Sequence, residues 1–343
     1  MKTLTFSRFG FTLLGLTVLL VFTAWTAVLM GPSHLGPSEV WSVLLGDSKN
    51  APAIDIVYAV RIPRVLLAIL VGASLATSGV IFQALLRNPL ADPYILGVSG
   101  GAALGAIAML SLGASFGFGY GAVPPAAFVG SLIAIGLLYL IAGGGSGLSA
   151  TGLLLTGVVF NAFASAAIVF LASLAGMMQG SRVFLWLIGN LSAVRVDVIP
   201  WLGFFLAAGL ACSLVLSRSL NLISLGEEAA RQLGVNTERQ RRWLLLSSSL
   251  MVGAAVSAAG LIGFVGLIIP HLLRLLLGPD HRLLLPASAL GGAFFLLLCD
   301  TVARTLLDGR ELPVGAFTAL LGGPFFLYLL KRSGPGGVLG EHS

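Results

Sequence analysis

Long apolar runs alternate in this sequence with short clusters of charged and turn-forming residues. The stretch "RNPLADPYILGVSGGAALGA" (87–106) is typical, because Arg, Asn, Asp and two prolines separate one apolar run from a second run that is rich in glycine. The runs are roughly 20 residues long, the length that an α-helix needs to cross about 30 Å of hydrocarbon. The alternation therefore predicts an all-α polytopic membrane protein.

Composition supports this class. Of the 343 residues, 57% are hydrophobic and 9% are charged, whereas soluble domains carry about 25% charged residues. The net charge of +6 is then explained by the cytoplasmic bias of Lys and Arg in membrane proteins, and no nucleic-acid partner is expected. The histidines and the two cysteines lack ligand spacing, so no metal site is predicted.

The hydropathy pattern predicts about ten membrane spans. They lie near 9–30, 63–86, 94–113, 121–142, 150–174, 196–217, 242–261, 262–277, 284–306 and 313–330. Two further apolar stretches, 37–46 and 181–191, are too short to span and are expected to lie along the outer surface.

The charge distribution predicts that both termini are cytoplasmic. An even number of spans places the two ends on one side, and assigning that side to the cytoplasm puts the majority of the 19 lysines and arginines inside. The run Phe9 to Met30 follows Lys2 and Arg8 and is longer than the apolar part of a signal peptide. We therefore expect it to be a retained first helix.

The stretch 87–106 is predicted to link spans two and three on the cytoplasmic side, with a tight turn at its start. Pro89 and Pro93 end the helices, and Asn88 and Asp92 can accept hydrogen bonds from the freed backbone groups.

Glycines recur at every fourth position at the start of span three. Gly97, Gly101 and Gly105 form a stripe of small residues, and such stripes let membrane helices approach each other closely. The stripe alone predicts packing and no particular function.

The long polar segment 217–242 contains a predicted short helix between Gly226 and Gly234. Its apolar residues recur at every fourth position and are Leu225, Ala229 and Leu233. Glu227 and Glu228 in its first turn and Arg231 later suit the helix dipole. The apolar side could lie on lipid headgroups or in a groove of a partner protein.

Four stretches together resemble a known family. "EEAARQLG" (227–234) resembles the element by which ABC importer permeases dock into their ATPase subunits. The stretches at 61–106, 263–293 and 311–330 resemble FecCD-type permeases, which import iron–siderophore complexes, haem and vitamin B12. The order of the stretches and the number of spans extend the resemblance over nearly the whole chain.

The resemblance implies a type II ABC importer permease of the bacterial inner membrane, with residues 1–343 forming one transmembrane domain. It implies a second copy of this chain, two ATPase subunits that bind ATP and Mg, and a periplasmic binding protein. The substrate would be a ferric siderophore, haem or cobalamin, and this chain would hold no cofactor. The coupling segment would be 218–241, with these residues at the ATPase: Leu225, Gly226, Glu227, Glu228, Ala229, Ala230, Arg231, Leu233 and Gly234.

The residues themselves exclude ATP hydrolysis by this chain, because none of its lysines follows a glycine as a phosphate-binding loop requires. An ion-coupled secondary transporter is the alternative, since such carriers keep ionisable residues inside the membrane. Asp300 is such a residue, but Arg304 follows one turn later, which favours a structural ion pair. A membrane enzyme ranks third, because no catalytic constellation is found.

Two further sites are predicted. The resemblance implies that Arg61, Arg64 and Arg304 are exposed and receive acidic residues of the binding protein. The competing interpretations are lipid-headgroup binding by the first two and internal pairing of Arg304 with Asp300.

Span five is a candidate wall of the translocation path. Its small polar residues are Thr156, Asn161 and Ser165, and the preceding "GGGSGLSA" (143–150) could act as a gate. Hydrogen bonding between helices of one subunit is the equally weighted alternative for these three residues.

Overall fold

The protein is a bundle of helices in a computed structural model that describes residues 5–33, 35–47, 50–142, 150–174, 176–192, 196–307 and 311–332. The helices are α1 (Phe6–Leu29), α2 (Pro37–Leu44), α3 (Ala51–Asp55), α4 (Ile62–Leu85), α5 (Val98–Leu112), α6 (Val123–Ala142), α7 (Ala150–Leu174), α8 (Gly176–Ile188), α9 (Val198–Val215), α10 (Ser217–Leu225), α11 (Glu227–Gln232), α12 (Thr237–Ala259), α13 (Val265–Leu277), α14 (His281–Thr305) and α15 (Val314–Arg332). A π-helical turn, Ile56–Arg61, joins α3 to α4.

The predicted all-α membrane class is confirmed. Among the described residues, seven helices are long and apolar enough to cross a membrane, and Val98–Leu112, Val265–Leu277 and Val314–Tyr328 are shorter apolar helices. Together they match the predicted spans. The short helices α2 and α8 overlap the predicted stretches 37–46 and 181–191, although α8 begins earlier, at Gly176.

The polar segment between α9 and α12 differs from the prediction in two ways. The polar segment after α9 contains an additional helix, α10, and α12 begins at Thr237 rather than near residue 242. Asn236 explains the earlier start, because its side chain accepts a hydrogen bond from the backbone N–H of Arg239 at 3.0 Å and so caps the helix.

Helix α4 is the centre of the bundle. Most of its 24 residues are buried, and it packs against α9, α12, α13 and α14. Gly72 lies against the backbone of Gly292 in α14, and Gly79 lies against Gly266 in α13. Because these contacts are backbone to backbone, α4 can have close neighbours on several sides.

The turn between α4 and α5 forms as predicted. The Asn88 side chain accepts a hydrogen bond from the Leu90 N–H at 2.9 Å, and the Asp92 side chain accepts one from the Tyr94 N–H at 2.8 Å. Gly97 then adopts a φ of +82° directly before α5, a conformation that glycine adopts without steric cost.

The predicted glycine stripe packs against neighbouring helices. Gly101 and Gly105 face α6, and a Cβ atom on Gly101 would lie 2.5 Å from the Gly130 carbonyl oxygen. Gly97 instead faces Phe160 of α7. The stripe therefore sets the close approach of α5 to both α6 and α7.

The bundle has two ends that carry different contacts. At the α11 end, the Tyr139 hydroxyl of α6 donates to the Arg242 carbonyl of α12 at 2.8 Å. At the opposite end, which we call the Arg64 end, Arg64 of α4 pairs with Asp300 of α14 at 2.9 Å.

Replacing Gly101 by leucine should destabilise the bundle. The new side chain has no room against α6, and overpacking of this kind costs about 1–3 kcal/mol. Gly136→Leu is the matched control, because no atom lies within 4 Å of a Cβ placed at Gly136. Thermal unfolding in detergent should show a lower midpoint for Gly101→Leu alone; equal midpoints would contradict the packing role of the stripe.

Candidate functional site

Helix α11 forms between the two predicted glycines. It covers Glu227–Gln232, and Gly226 and Gly234 flank it with φ values of +147° and +82°. Both values lie in the region that glycine adopts without steric cost. The predicted short helix is therefore confirmed.

One side of the α11 region is apolar and exposed. Leu225 is 72% exposed and Leu233 is 66% exposed, and Ala229 between them is also exposed. These three residues form what we call the α11 patch. Ala230, by contrast, is fully buried against the bundle. The helix is thus held by its inner side and presents a small apolar surface outward.

Ion pairs hold α11 in this orientation. Glu227 pairs with Arg231 at 2.9 Å and with Arg241 of α12 at 3.0 Å, and the Arg231 Nε donates to the Thr237 hydroxyl at 3.1 Å. Burial acts to raise the pKa of Glu227, but Arg241 and Arg231 outweigh it and the pKa lies below its ordinary value. Glu228 is exposed.

Arg241 is a site residue that the sequence pattern does not reveal. Within "RQRR" (239–242), nothing local distinguishes the arginine that turns inward from those that remain exposed. Only the packing of α11 against α12 selects it.

A buried charge cluster lies at the Arg64 end. Asp300 accepts hydrogen bonds from the Arg64 Nε at 3.1 Å and from its Nη2 at 2.9 Å. The Arg64 Nη1 also donates to Glu311 at 2.8 Å, and the Arg304 Nε lies 3.7 Å from Asp300. The expected internal pairing of Asp300 with Arg304 is therefore present, and Arg64 and Glu311 extend it.

Two arginines, Arg304 of this cluster and Arg61, bind the end of α1. Arg61 donates to the Val28 carbonyl at 2.8 Å, to the Leu29 carbonyl at 3.0 Å and to the Ser33 hydroxyl at 2.8 Å. Arg304 donates to the Ala27 carbonyl. The last carbonyls of a helix have no partner within the helix, and these two side chains supply one.

The expectation that these three arginines are exposed is wrong. Arg61, Arg64 and Arg304 are only 2%, 4% and 1% exposed. Carboxylates and helix-terminal carbonyls inside the subunit accept hydrogen bonds from their guanidinium groups, which makes burial of their charge possible, although the Nε atoms of Arg61 and Arg304 are buried without a hydrogen-bond partner. Their docking to a binding protein stays a prediction that these contacts do not test.

The three candidate path residues do not form one polar surface. The Asn161 amide donates to the Tyr94 carbonyl at 2.8 Å, which is the hydrogen bonding within one subunit that was the alternative. Thr156 lines a mostly apolar recess of about 460 Å³ between α6 and α7, and Ser165 is exposed. Of the candidate gate, residues 143–149 lie outside the described part of the chain.

Within the described ranges, no group of three or more His, Cys, Asp or Glu side chains is arranged to hold a metal ion.

Charge on the α11 patch should prevent a partner from binding there. Ala229→Glu would bury a carboxylate without a partner in an apolar groove, at a cost of several kcal/mol. Gln232→Glu is the control, because it adds the same charge on the row of Glu228, outside the patch. Copurification of the ATPase subunit should be lost in the first variant and kept in the second. Normal copurification of both would show that the patch is not the contact.

Neutralising Asp300 should destabilise the Arg64 end. Asp300→Asn leaves two buried guanidinium groups without their shared carboxylate, which costs about 3–5 kcal/mol in comparable buried pairs. Glu311→Gln should cost far less, because Glu311 is 31% exposed. Thermal unfolding in detergent measures both. An Asp300→Asn variant of unchanged stability that has lost uptake would instead indicate a role in ion coupling.

Comparison with known proteins places these features in one family. The hemin transport system permease protein HmuU of Yersinia pestis is 41% identical over 328 residues, which cover 92% of this chain and 94% of that protein. The cobalamin import system permease protein BtuC of Halobacterium salinarum is 43% identical over 312 residues, which cover 91% of this chain and 80% of that protein.

Solved structures agree. A structure described as an inward-facing conformation of a metal-chelate type ABC transporter is 34% identical, with a TM-score of 0.81, and covers 94% of this chain and 99% of that chain. PsaBC from Streptococcus pneumoniae, at 19% identity and a TM-score of 0.53, shows a likeness of fold alone.

The FecCD transport family matches residues 18–332. Its members are permeases of the inner membrane that work with ATPase and substrate-binding partners and are not enzymes. The match covers nearly the whole chain. The membrane spans and the resemblance of "EEAARQLG" to the ATPase-docking element support the same assignment. The chain belongs to the FecCD transport family and is the membrane-spanning permease subunit of an ABC importer, in which a separate subunit hydrolyses ATP.

Proposed function

We propose that this permease works as a homodimer that takes up a metal chelate delivered by a periplasmic binding protein. Two ATPase subunits bind ATP and Mg and drive the transport, and this chain itself holds no cofactor. The observation that carries the proposal is the identity of about two residues in five with haem and cobalamin permeases over nearly the whole chain.

The names of the relatives support the substrate class. One is a permease for hemin and another for cobalamin, and in both substrates a macrocycle encloses a metal ion. A ferric siderophore is a third chelate of similar bulk. Such large and rigid substrates fit a wide path between two subunits better than a path through the densely packed interior of one.

The exposure of α7 supports a second copy. In an apolar stretch of 18 residues of this helix, only 17% of the residues are buried within the subunit. Its exposed large apolar residues are Leu155, Val158, Val159, Phe163, Val169, Phe170 and Leu174. A second copy would cover part of this surface, and the translocation path would run along it, with Thr156 and Ser165 accessible and Asn161 holding the neighbouring turn.

The two ends of the bundle support the orientation. The α11 patch, exposed and apolar, suits a groove on the ATPase, and this end would then face the cytoplasm. The Arg8 guanidinium at the start of α1 donates to the Leu277 carbonyl at the end of α13 at 2.6 Å, so the start of α1 lies at this end. Both termini would then be cytoplasmic, and the binding protein would dock at the Arg64 end, on a surface whose shape Arg61, Arg64 and Arg304 maintain.

Reconstitution tests the function directly. The permease is placed in vesicles with its ATPase subunit, and uptake of haem, cyanocobalamin and a ferric siderophore is measured with the binding protein on the outer side. We expect uptake of one chelate to require ATP and the binding protein, and to be unaffected by a protonophore. Uptake that persists without ATP and stops with the protonophore would refute the mechanism, and transport of none of the three chelates would refute the substrate class.

A further inference from the structure

An open recess at the α11 end lies between α6 and α12, and no residue of the α11 patch lines it. Its volume is about 610 Å³. The lining residues are Tyr139, Asn236, Glu238, Arg239, Arg242, Trp243 and Leu246. The recess therefore lies at the ends of two helices that are long and apolar enough to cross a membrane.

Positive charge is available in this recess. Arg239 is exposed and forms no ion pair within the described part of the chain. Arg242 pairs with Glu238, one turn earlier, but its side chain is 61% exposed, so part of its donor set still faces solvent. Two guanidinium groups on adjacent turns can thus donate several hydrogen bonds to one anion, the arrangement that binds phosphate.

Aromatic and aliphatic groups continue the recess toward the hydrocarbon. Trp243 is 52% exposed and Leu246 is also exposed. Leu246 lies about 10 Å farther along α12 than Arg239, at 1.5 Å per residue. Tyr139 is half-buried, with its hydroxyl held by the Arg242 carbonyl at 2.8 Å. The order from charged to aromatic to aliphatic matches the order of headgroup, glycerol and acyl chain in a phospholipid.

The arginines of the basic run 239–242 do not all face the recess, as Arg241 shows. It lies between the two recess arginines but turns inward and pairs with Glu227 at 3.0 Å. The helix thus divides its arginines between an internal contact and an outward surface.

We infer that this recess binds the headgroup of an anionic phospholipid. The lipid phosphate would accept hydrogen bonds from Arg239 and Arg242, and the acyl chains would lie against Trp243 and Leu246. Basic pockets between membrane helices recognise anionic lipids in this way, with about 1 kcal/mol for each arginine near the surface. A free phosphate ion could use the same donors but would leave the apolar part of the recess uncovered.

Lipid binding to the full-length permease in detergent tests the inference. The probes are phosphatidylglycerol and phosphatidylcholine, each with brominated acyl chains, which quench nearby tryptophan fluorescence. We expect phosphatidylglycerol to quench Trp243 at lower concentration than phosphatidylcholine, and the difference to vanish in Trp243→Phe, whose remaining tryptophans report the background. Each arginine removed should weaken the binding of phosphatidylglycerol about fivefold.

Matched variants separate the recess from general basicity. Arg239→Gln and the double variant with Arg242→Gln remove recess charge, whereas Arg218→Gln removes an exposed arginine of α10 outside the recess. Arg239→Gln breaks no ion pair, so it carries the test even if the double variant fails to fold. Binding should fall about fivefold in Arg239→Gln and stay within twofold of wild type in Arg218→Gln.

Three results would overturn the inference. The first is equal quenching by the two lipids. The second is displacement of phosphatidylglycerol by millimolar inorganic phosphate, which would indicate a site for a soluble anion. The third is loss of lipid binding whenever the ATPase is bound, which would indicate that the recess is a protein interface. None of them affects the transport assay, so failure here is distinguishable from failure of the proposed function.

Discussion

The fold depends on one carboxylate, that of Asp300, between two buried arginines. An unpaired charge inside an apolar bundle is strongly destabilising, so Arg64, Arg304 and Asp300 can be buried only together. Because Arg304 also binds the end of α1, and Arg64 also binds Glu311 before α15, this arrangement joins α1, α4, α14 and the connection to α15. The Arg64 end of the bundle is thereby fixed as one unit.

At the opposite end, the α11 end, hydrogen bonds and ion pairs of partly exposed side chains join neighbouring helices. The Asn221 amide of α10 donates to Asp280 at 3.0 Å, and Asp280 caps α14 by accepting from the Arg282 N–H at 3.0 Å. Arg282, Asn221 and the Arg282 backbone lower the pKa of Asp280 to about 2, against the opposing effect of burial, so this cap remains charged at neutral pH. A displacement of α10 and α11 would thus act on the same helix that carries Asp300, and α14 links the two ends of the subunit.

Local sequence patterns predict much of this structure, but they do not predict which side chains pair with each other across the bundle. Hydropathy and glycine spacing are properties of neighbouring residues, so the spans, α11 and the stripe through Gly101 could all be derived. The sequence could not show that Arg64 pairs with Glu311, because the two residues meet only after α4 and α14 have packed. It also suggested that arginines at the ends of spans are exposed, whereas Arg61 is buried because α1 ends beside it and offers free carbonyls. Helix α10 is short and only partly apolar, and its stability comes from packing.

The same two helices explain why the ion pair has only one possible register. Gly72 of α4 and Gly292 of α14 meet backbone to backbone, and any side chain there would push the antiparallel helices apart. From this crossing, Arg64 and Asp300 lie an equal number of residues away, back along α4 and forward along α14, or about 12 Å on each helix. A slip of one helical turn would separate the charges by about 5 Å and leave both buried without a partner. The glycines therefore bring the two helices close enough to exclude water. The charges then select the register in which each buried charge of the Arg64–Asp300 pair has its partner.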